Sequence, residues 1–501
     1  MPEVTVRTAS VTEIQADVLV VNLFKGVQVP GGATGAVDRA LGGLISQAIA
    51  AGDLKGDLGE TALFYTQGRL PARKVLVVGF GKAEKFGLPE VRKVAAIAAR
   101  AAWQSGARSI ATIAHGAGIG GLDPVRAAEA TVDGTLHGLY RFAGYKTGDG
   151  EDRPPVEEVV LVERDEAKAR AMAAGAEVGR ILAESVNWAR DLGNRPANRL
   201  TPTDLAEEAV RMAREVGLEA EVLEKADLER LGAGLLLAVN RGSSEPPKMI
   251  VLRYRGAGTG KPIALVGKGL TFDTGGISLK PAENMWDMKF DMCGGAAVLG
   301  AMRAIGLLRP AADVLAVVPA TDNMPDGASY KPGDVIQGLS GKTVEIRSTD
   351  AEGRLILADG LAYAVRQGAS RIITVSTLTG GALIALGRVR SALIANDDRW
   401  AEEVLAAAAD AGEKVWRLPA DEEYRELFKS EIADMTNGGK REASTIQGGL
   451  FLLQHVGDVP TVHLDIAATA WTSGDKAQEP GATGVATRTL VAAVRRHRQE
   501  G

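Results

Sequence analysis

The chain has 501 residues, 46% of them hydrophobic and 24% charged, with a formal net charge of −5. That length allows two or three domains with a large core, and the composition is that of an ordinary globular protein. The acidic balance argues against a phosphate-backbone binder, and no apolar run approaches the roughly 18 residues that a membrane span needs.

The N-terminus, MPEVTVRTAS, lacks a basic region followed by an apolar stretch, so no signal peptide is expected. Strand-like runs follow at ADVLVVNLF (16–24), RKVLVVGFG (73–81), RSIATIAH (108–115) and EEVVLVE (157–163), separated by Ala-rich helical stretches such as LPEVRKVAAIAARAAWQSG. This βα rhythm predicts an α/β sheet domain over residues 1–165. Within it, YKTGDGEDRPP (145–155) is polar and rich in breakers and reads as an exposed loop. A long helical pattern from Glu166 predicts a connecting helix over 166–190. The remainder, 191–501, repeats the rhythm with KMIVLRY, PIALVGKG, DVLAVVPA, RIITVST, SALIAND and TVHLDIA as strands. EGRLILADGLAYAVRQG and ASTIQGGLFLLQHVG are expected to be amphipathic helices.

Several motifs carry little chemistry. VVGFGK (77–82) has G-x-G after a strand, but Glu84 stands where the dinucleotide fingerprint needs a third glycine, so a tight turn explains it better. The five histidines show no metal-ligand spacing, and His463, in an apolar strand, is expected to be a satisfied core or near-site residue. Cys293 is the only cysteine; it excludes intrachain disulfides, points to a reducing cytoplasm, and beside GGAAV is expected to pack. Ser278 and Lys280 form a Ser-x-Lys pair, a conceivable hydrolase dyad that strand alternation would also produce.

The carboxylates are harder to dismiss. Asp350, Glu352 and Arg354 stand at i, i+2 and i+4 in STDAEGRL, just before a long apolar helix. Helix capping explains Asp350 or Glu352 alone. Yet Lys268, Asp273, Lys280 and Asp291 lie 60 to 80 residues earlier with the same strand-end placement. Loops at the carboxyl ends of strands converge on one crevice in an α/β sheet, where clustered carboxylates repel unless cations bridge them. Spacing alone leaves capping and a binuclear metal site both open.

The segments VGKGLTFDTGGISLKP with MKFDM, and STDAEGRLILADGL, resemble the two signatures of the cytosol (leucyl) aminopeptidase family. SVNWARDLGNRPANRLTPTDLAEEA, VSTLTGGALIALG and SEIADMTN with HLDIAATAW resemble the same catalytic domain, from about residue 185 to the end. Two positions depart from the family: Ser348 stands where Asn is usual, and Cys293 where small residues are usual.

The resemblance implies an α/β protein of two domains, the larger C-terminal one catalytic with a mixed central sheet. It implies two divalent ions, manganese or zinc. One is held by Asp273, Asp350 and Glu352, the other by Lys268, Asp273, Asp291 and Glu352. Lys280 is then the charged oxyanion stabiliser, and Arg354 neighbours a bicarbonate acting as general base. Met288, Thr377, Leu378 and Gly380 match positions that contact the substrate. The activity implied is release of N-terminal residues, leucine and similar ones preferred, from short peptides with a free N-terminus, by a homohexamer. DNA binding, known for some relatives, is not indicated by the acidic charge, and no membrane association is expected.

Overall fold

A computed structural model describes residues 1–147, 153–257, 260–438 and 441–497. The chain divides into two units, Met1–Asn187 with Ser473–Pro480, and Trp188–Thr472 with Gly481–Gly501. The division falls inside a 29-residue helix, Glu166–Asn194.

In the first unit, β1 (Glu3–Thr8), β2 (Val18–Phe24), β3 (Thr61–Tyr65), β4 (Lys74–Gly81), β5 (Ser109–Thr112) and β6 (Glu158–Glu163) form one sheet in the order β1-β6-β5-β2-β4-β3. All neighbours are parallel except β3, which runs antiparallel to β4. Parallel strands are covered on both faces, so they read as unbroken apolar runs. Successive side chains then separate into two cores. Val18, Val20, Leu76 and Val78 pack on one face with Val94 and Ala98 of helix Leu88–Gln104. Leu19, Val21, Val75 and Val77 pack on the other with Val37 and Leu41. The G-x-G of β4 leads only into a short 3-10 turn, Ala83–Lys85. The breaker-rich segment 145–155 falls partly outside the described residues, at 148–152; Tyr145 is exposed. Within the same unit, Glu479 of the late segment pairs with Arg100 at 3.4 Å and Arg141 at 3.7 Å.

The second unit is built on a mixed sheet of β7 (Glu219–Leu223), β8 (Lys248–Arg255), β9 (Ile263–Gly267), β10 (Gly269–Asp273) and β11 (Asp313–Asn323), continued below. A small sheet joins β12 (Val335–Gln337) and β13 (Thr343–Glu345) to β17 (Met435–Thr436). The large sheet is completed by β14 (Arg371–Ser376), β15 (Ser391–Ala395), β16 (Val415–Arg417) and β18 (Thr461–Asp465). Its order is β16-β15-β18-β14-β9-β11-β8-β7, with β10 on β11. The centre, β18-β14-β9-β11, is parallel, while β15 and β8 run antiparallel to their central neighbours.

Two helices differ from the amphipathic expectation. Helix Glu352–Arg366 is buried without a break from Glu352 to Ala364, and helix Ser444–Leu453 from Thr445 to Leu453. Each is sandwiched between the sheet and further helical layers, so neither keeps a solvated face. The stretch Met285–Leu308 has the length and apolar character of a membrane span, but 83% of that window is buried in the protein's own core.

Candidate metal centre

The parallel strands at the sheet centre all present their carboxyl ends to one place. Lys268 follows β9, Asp273 ends β10, Asn323 ends β11, Thr377 follows β14 and Asp465 ends β18. A crevice outside such ends is where open α/β sheets bind ligands. Lys280 enters from the turn after β10, fixed by its amide donating to Thr274 O at 2.9 Å. Asp291 comes from the 3-10 helix Met285–Met292, and Asp350 and Glu352 from the start of helix Glu352–Arg366.

The capping alternative fails here. The N-cap of that helix is Ala351, which makes no side-chain cap, so neither carboxylate is consumed by the helix end. Instead, Lys268 Nζ lies 2.6 Å from Asp291 Oδ2 and 2.8 Å from Glu352 Oε1. Lys280 Nζ lies 2.7 Å from Asp273 Oδ2 and also pairs with Asp350. Thr377 Oγ1 donates to Asp291 Oδ1 at 2.6 Å. Donor oxygens of Asp273, Asp350 and Glu352 lie within 4.8 Å of one another.

Four carboxylates thus face two ammonium groups, leaving two negative charges in excess in a largely buried setting. Burial, with Glu352 and Asp291 close by, pushes Asp273 up to about 7. Burial raises Asp350 to about 6 against the opposing pull of Lys280. Burial works against the charge on Lys268, but Asp291 and Glu352 outweigh it and raise the ammonium pKa. Burial would also raise Glu352, yet Lys268 and Lys280 hold it below the usual carboxylate value. Glu352 Oε2 is buried without a hydrogen-bond partner among the described residues. Oxygen donors, excess negative charge and an orphaned carboxylate oxygen fit hard divalent cations.

The two lysines are not equivalent. The Lys268 side chain is 3% exposed and Lys280 22% exposed, so only Lys280 reaches toward solvent. Glycine at 353 makes room for Lys268: a Cβ there would lie 2.6 Å from both Lys268 Cε and Nζ.

Arg354 is buried, 6.0 Å over the Phe451 ring, with Nε unpartnered among the described residues; burial lowers its pKa to about 10. Met288 is half-buried in the 3-10 helix that carries Asp291, and Leu378 and Gly380 follow Thr377 in the chain. The Leu378 amide donates to Asp465 Oδ1 at 3.1 Å. Ser278 and Lys280 do not form a dyad. The Ser278 hydroxyl accepts from the Thr349 amide at 3.1 Å, in a turn rather than a strand, and Lys280 is occupied by two carboxylates. Ser348 accepts from the Asp350 amide at 3.2 Å, so the hydroxyl orients Asp350 as an acceptor. Cys293 is buried, and burial pushes its thiol up to about 12, an unreactive state. His463 is buried near Arg354, in line with the near-site expectation, but its two ring nitrogens find no hydrogen-bond partner among the described residues.

Sequence reasoning missed Asn323 and Asp465. Asn323 Nδ2 donates to Asp273 Oδ1 at 2.9 Å and to Thr349 O at 2.9 Å, bracing two signature segments. Asp465 accepts from Thr379 Oγ1 at 2.7 Å and so fixes the loop after β14. Their position at the carboxyl ends of apolar strands was the available signal.

A sheet whose central strand ends gather carboxylates and lysines into a cation-binding crevice defines a metallohydrolase. Residues 187–491 match the model of the cytosol aminopeptidase family's catalytic domain, and residues 20–149 that of its N-terminal domain. The chain is 46% identical over 483 residues to a probable cytosol aminopeptidase of Alkaliphilus metalliredigens (strain QYMF), covering 96% of each. It is 43% identical over 490 residues to another from Alkaliphilus oremlandii (strain OhILAs), covering 97% of this chain and 98% of that one. Among solved structures it resembles a mutant of tomato leucine aminopeptidase, with TM-score 0.87 and 32% identity, covering 99% of this chain and 97% of that one. It also resembles the bottromycin maturation enzyme BotP in complex with Mn, with TM-score 0.83 and 36% identity over 96% and 99% of the two chains. The chain belongs to the cytosol aminopeptidase family, metal-dependent enzymes that remove N-terminal amino acids.

Proposed function

We propose that this aminopeptidase uses two divalent ions, manganese or zinc, and prefers leucine and similar apolar residues at the N-terminus of short peptides. The observation that carries this is the formal excess of two negative charges, with all four ionised, of Asp273, Asp291, Asp350 and Glu352 over Lys268 and Lys280, with Glu352 Oε2 buried and unpartnered among the described residues. Asp273, Asp350 and Glu352 would hold one ion, and Lys268, Asp273, Asp291 and Glu352 the other. When bound, such ions polarise the scissile carbonyl, acidify a water and anchor the free α-amine. Lys268 can serve as a ligand only as the neutral amine, so bound cations would have to displace the proton that Asp291 and Glu352 otherwise hold on it. Lys280 keeps its proton and, being the more exposed of the pair, donates to the oxyanion that develops on the carbonyl oxygen. Asn323 and Ser348 hold Asp273 and Asp350 in place. The buried Nε of Arg354, unpartnered among the described residues, supports an anion such as bicarbonate beside it, acting as general base. Met288, Thr377, Leu378 and Gly380 contact the substrate in this reading, with Met288 and Leu378 supplying apolar surface for a leucine-like side chain.

A homohexamer and a cytoplasmic location complete the reading. Both rest on the family, the second also on the lone buried thiol. The central test is hydrolysis of Leu-Gly-Gly and its N-acetylated form, before and after prolonged chelation. The free peptide should lose leucine, the blocked one should be inert, and chelation should abolish activity until manganese or zinc is restored. Full turnover in protein shown metal-free by elemental analysis would refute the proposal.

A further inference from the structure

The first unit holds a cavity of about 500 Å³ that the aminopeptidase reaction does not use. It opens at the carboxyl ends of the parallel strands: Asn22 and Phe24 of β2, Phe80 of β4 and Val162 of β6 line it. Strand order makes this a switch point. After β2 the chain moves toward β4 and β3, whereas after β5 it moves toward β6, so the two loops part and leave a crevice.

Both parting loops are glycine-rich. One is Pro30-Gly31-Gly32, leading into helix Gly32–Ala40; the other is Gly116-Ala117-Gly118-Ile119-Gly120-Gly121. Both loops line the cavity, and the Ile119 side chain of the second reaches the first, since a Cβ on Gly31 would meet Ile119 Cδ1 at 3.2 Å. The N-cap Gly31 offers no side-chain acceptor to the helix. Among the described residues, the amides of Gly32, Ala33, Thr34, Gly118, Ile119 and Gly120 donate no hydrogen bond. Three exposed cations, Arg39, Arg164 and Lys168, also line the cavity, and none forms a salt bridge among the described residues. Glu163, the acidic residue of the lining, spends its Oε1 on the amides of Arg164 and Asp165.

Free amides from two opposed loops with unpaired cations at the rim form an anion cradle. The volume exceeds what phosphate alone fills and suits a nucleotide-sized ligand. Phe24 and Phe80, 5.3 Å apart and edge to face, give the remaining space an aromatic wall. The Asn22 amide, 3.3 Å from His115 Nδ1, gives it a fixed polar group. We infer that this cavity binds a nucleoside diphosphate, with the diphosphate between the two glycine loops and the nucleoside against Phe24 and Asn22.

The test is calorimetric titration of the full chain with ADP, adenosine and inorganic pyrophosphate. The variant Gly118→Asp places a carboxylate among the amides. No atom lies within 4 Å of a Cβ at that position, so the fold is kept; unchanged leucine-amide hydrolysis reports this. ADP should bind saturably, and adenosine and pyrophosphate each at least about tenfold more weakly, a loss near 1.4 kcal/mol. Gly118→Asp and Arg164→Ala should each weaken ADP by a similar factor. Absence of saturable ADP binding at millimolar concentration would overturn the inference. So would adenosine or pyrophosphate binding as tightly as ADP, or ADP binding untouched by Gly118→Asp, which would put the nucleotide elsewhere.

Discussion

Replacing Gly353 by alanine pits helix propensity against the geometry of the metal centre. Alanine is favoured over glycine inside a helix by about 1 kcal/mol, and Gly353 is the second residue of a 15-residue helix. Propensity therefore predicts a more stable protein. The structure predicts the reverse. The new Cβ would stand 2.6 Å from Lys268 Cε and Nζ, and ordinary contact begins at 3.4 Å, so the ammonium must recede by about 0.8 Å. Lys268 cannot swing away cheaply, because its side chain is 3% exposed and its Nζ is held by Asp291 and Glu352. A retreat of that size stretches the two charge-assisted bonds of 2.6 and 2.8 Å to about 3.4 and 3.6 Å, weakening contacts each worth about 1.5–3 kcal/mol. The net effect is a loss of up to about 5 kcal/mol. Because a misplacement near 1 Å costs about 10²-fold in rate, kcat should fall by that order. Thermal unfolding, metal stoichiometry and leucine-amide kinetics on Gly353→Ala measure the three consequences. A variant that is more stable than wild type, with full metal content and turnover, would falsify the claim that Lys268 is positioned by this glycine.

The two lysines should respond differently to arginine, which cannot become a neutral ligand. Lys268→Arg should lose a metal and activity together, while Lys280→Arg should keep both metals and exceed Lys280→Ala in turnover. For Lys280→Ala the deficit should fall on kcat, about 10²–10³-fold; loss of a metal from that variant would reverse the assignment. Light scattering should give a particle near six times 52.3 kDa, and a monomer at micromolar concentration would exclude the hexamer. Acid stability should reflect His115 and His455, whose burial lowers each ring from 6.5 to about 3. Below their ordinary value the unfolded chain takes up protons that the native chain refuses, so stability falls with pH by about 1.4 kcal/mol per unit for each. His455→Gln should remove one such increment from the urea-unfolding slope between about pH 6 and 5, and an unchanged slope would show that His455 titrates normally in the fold.

The site was legible because its residues sit in two short segments whose spacing is constrained by a turn and a helix start. Lys268, Asp273 and Lys280 fall within one strand-turn unit, and Asp350 and Glu352 within one helix entry. What spacing could not decide was whether Asp350 and Glu352 capped that helix; Ala351 at the N-cap settles it. Asn323 escaped notice because an amide at a strand end has no distinctive pattern, and its partners Asp273 and Thr349 are 50 and 26 residues away. The apolar rhythm revealed the βα order and the mixed sheet's strands, but periodicity reports a helix's faces and not how many layers cover them. Helices Glu352–Arg366 and Ser444–Leu453 therefore look half-solvated in sequence, yet they are buried without a break from Glu352 to Ala364 and from Thr445 to Leu453. His463 shows the same gap: its apolar strand marks it as interior, but only three-dimensional neighbours reveal that both ring nitrogens lack partners among the described residues.

The late segment Ser473–Pro480 has a consequence for how the polypeptide is made. The first unit cannot be completed when its initial 187 residues have left the ribosome, because Glu479, the partner of Arg100 and Arg141, is still about 290 residues from synthesis. At typical elongation speeds of about 5–20 residues per second, that unit waits tens of seconds for the carboxylate that Arg100 and Arg141 share. Its final closure thus follows the synthesis of nearly all of the catalytic unit, so the N-terminal unit begins first and finishes late.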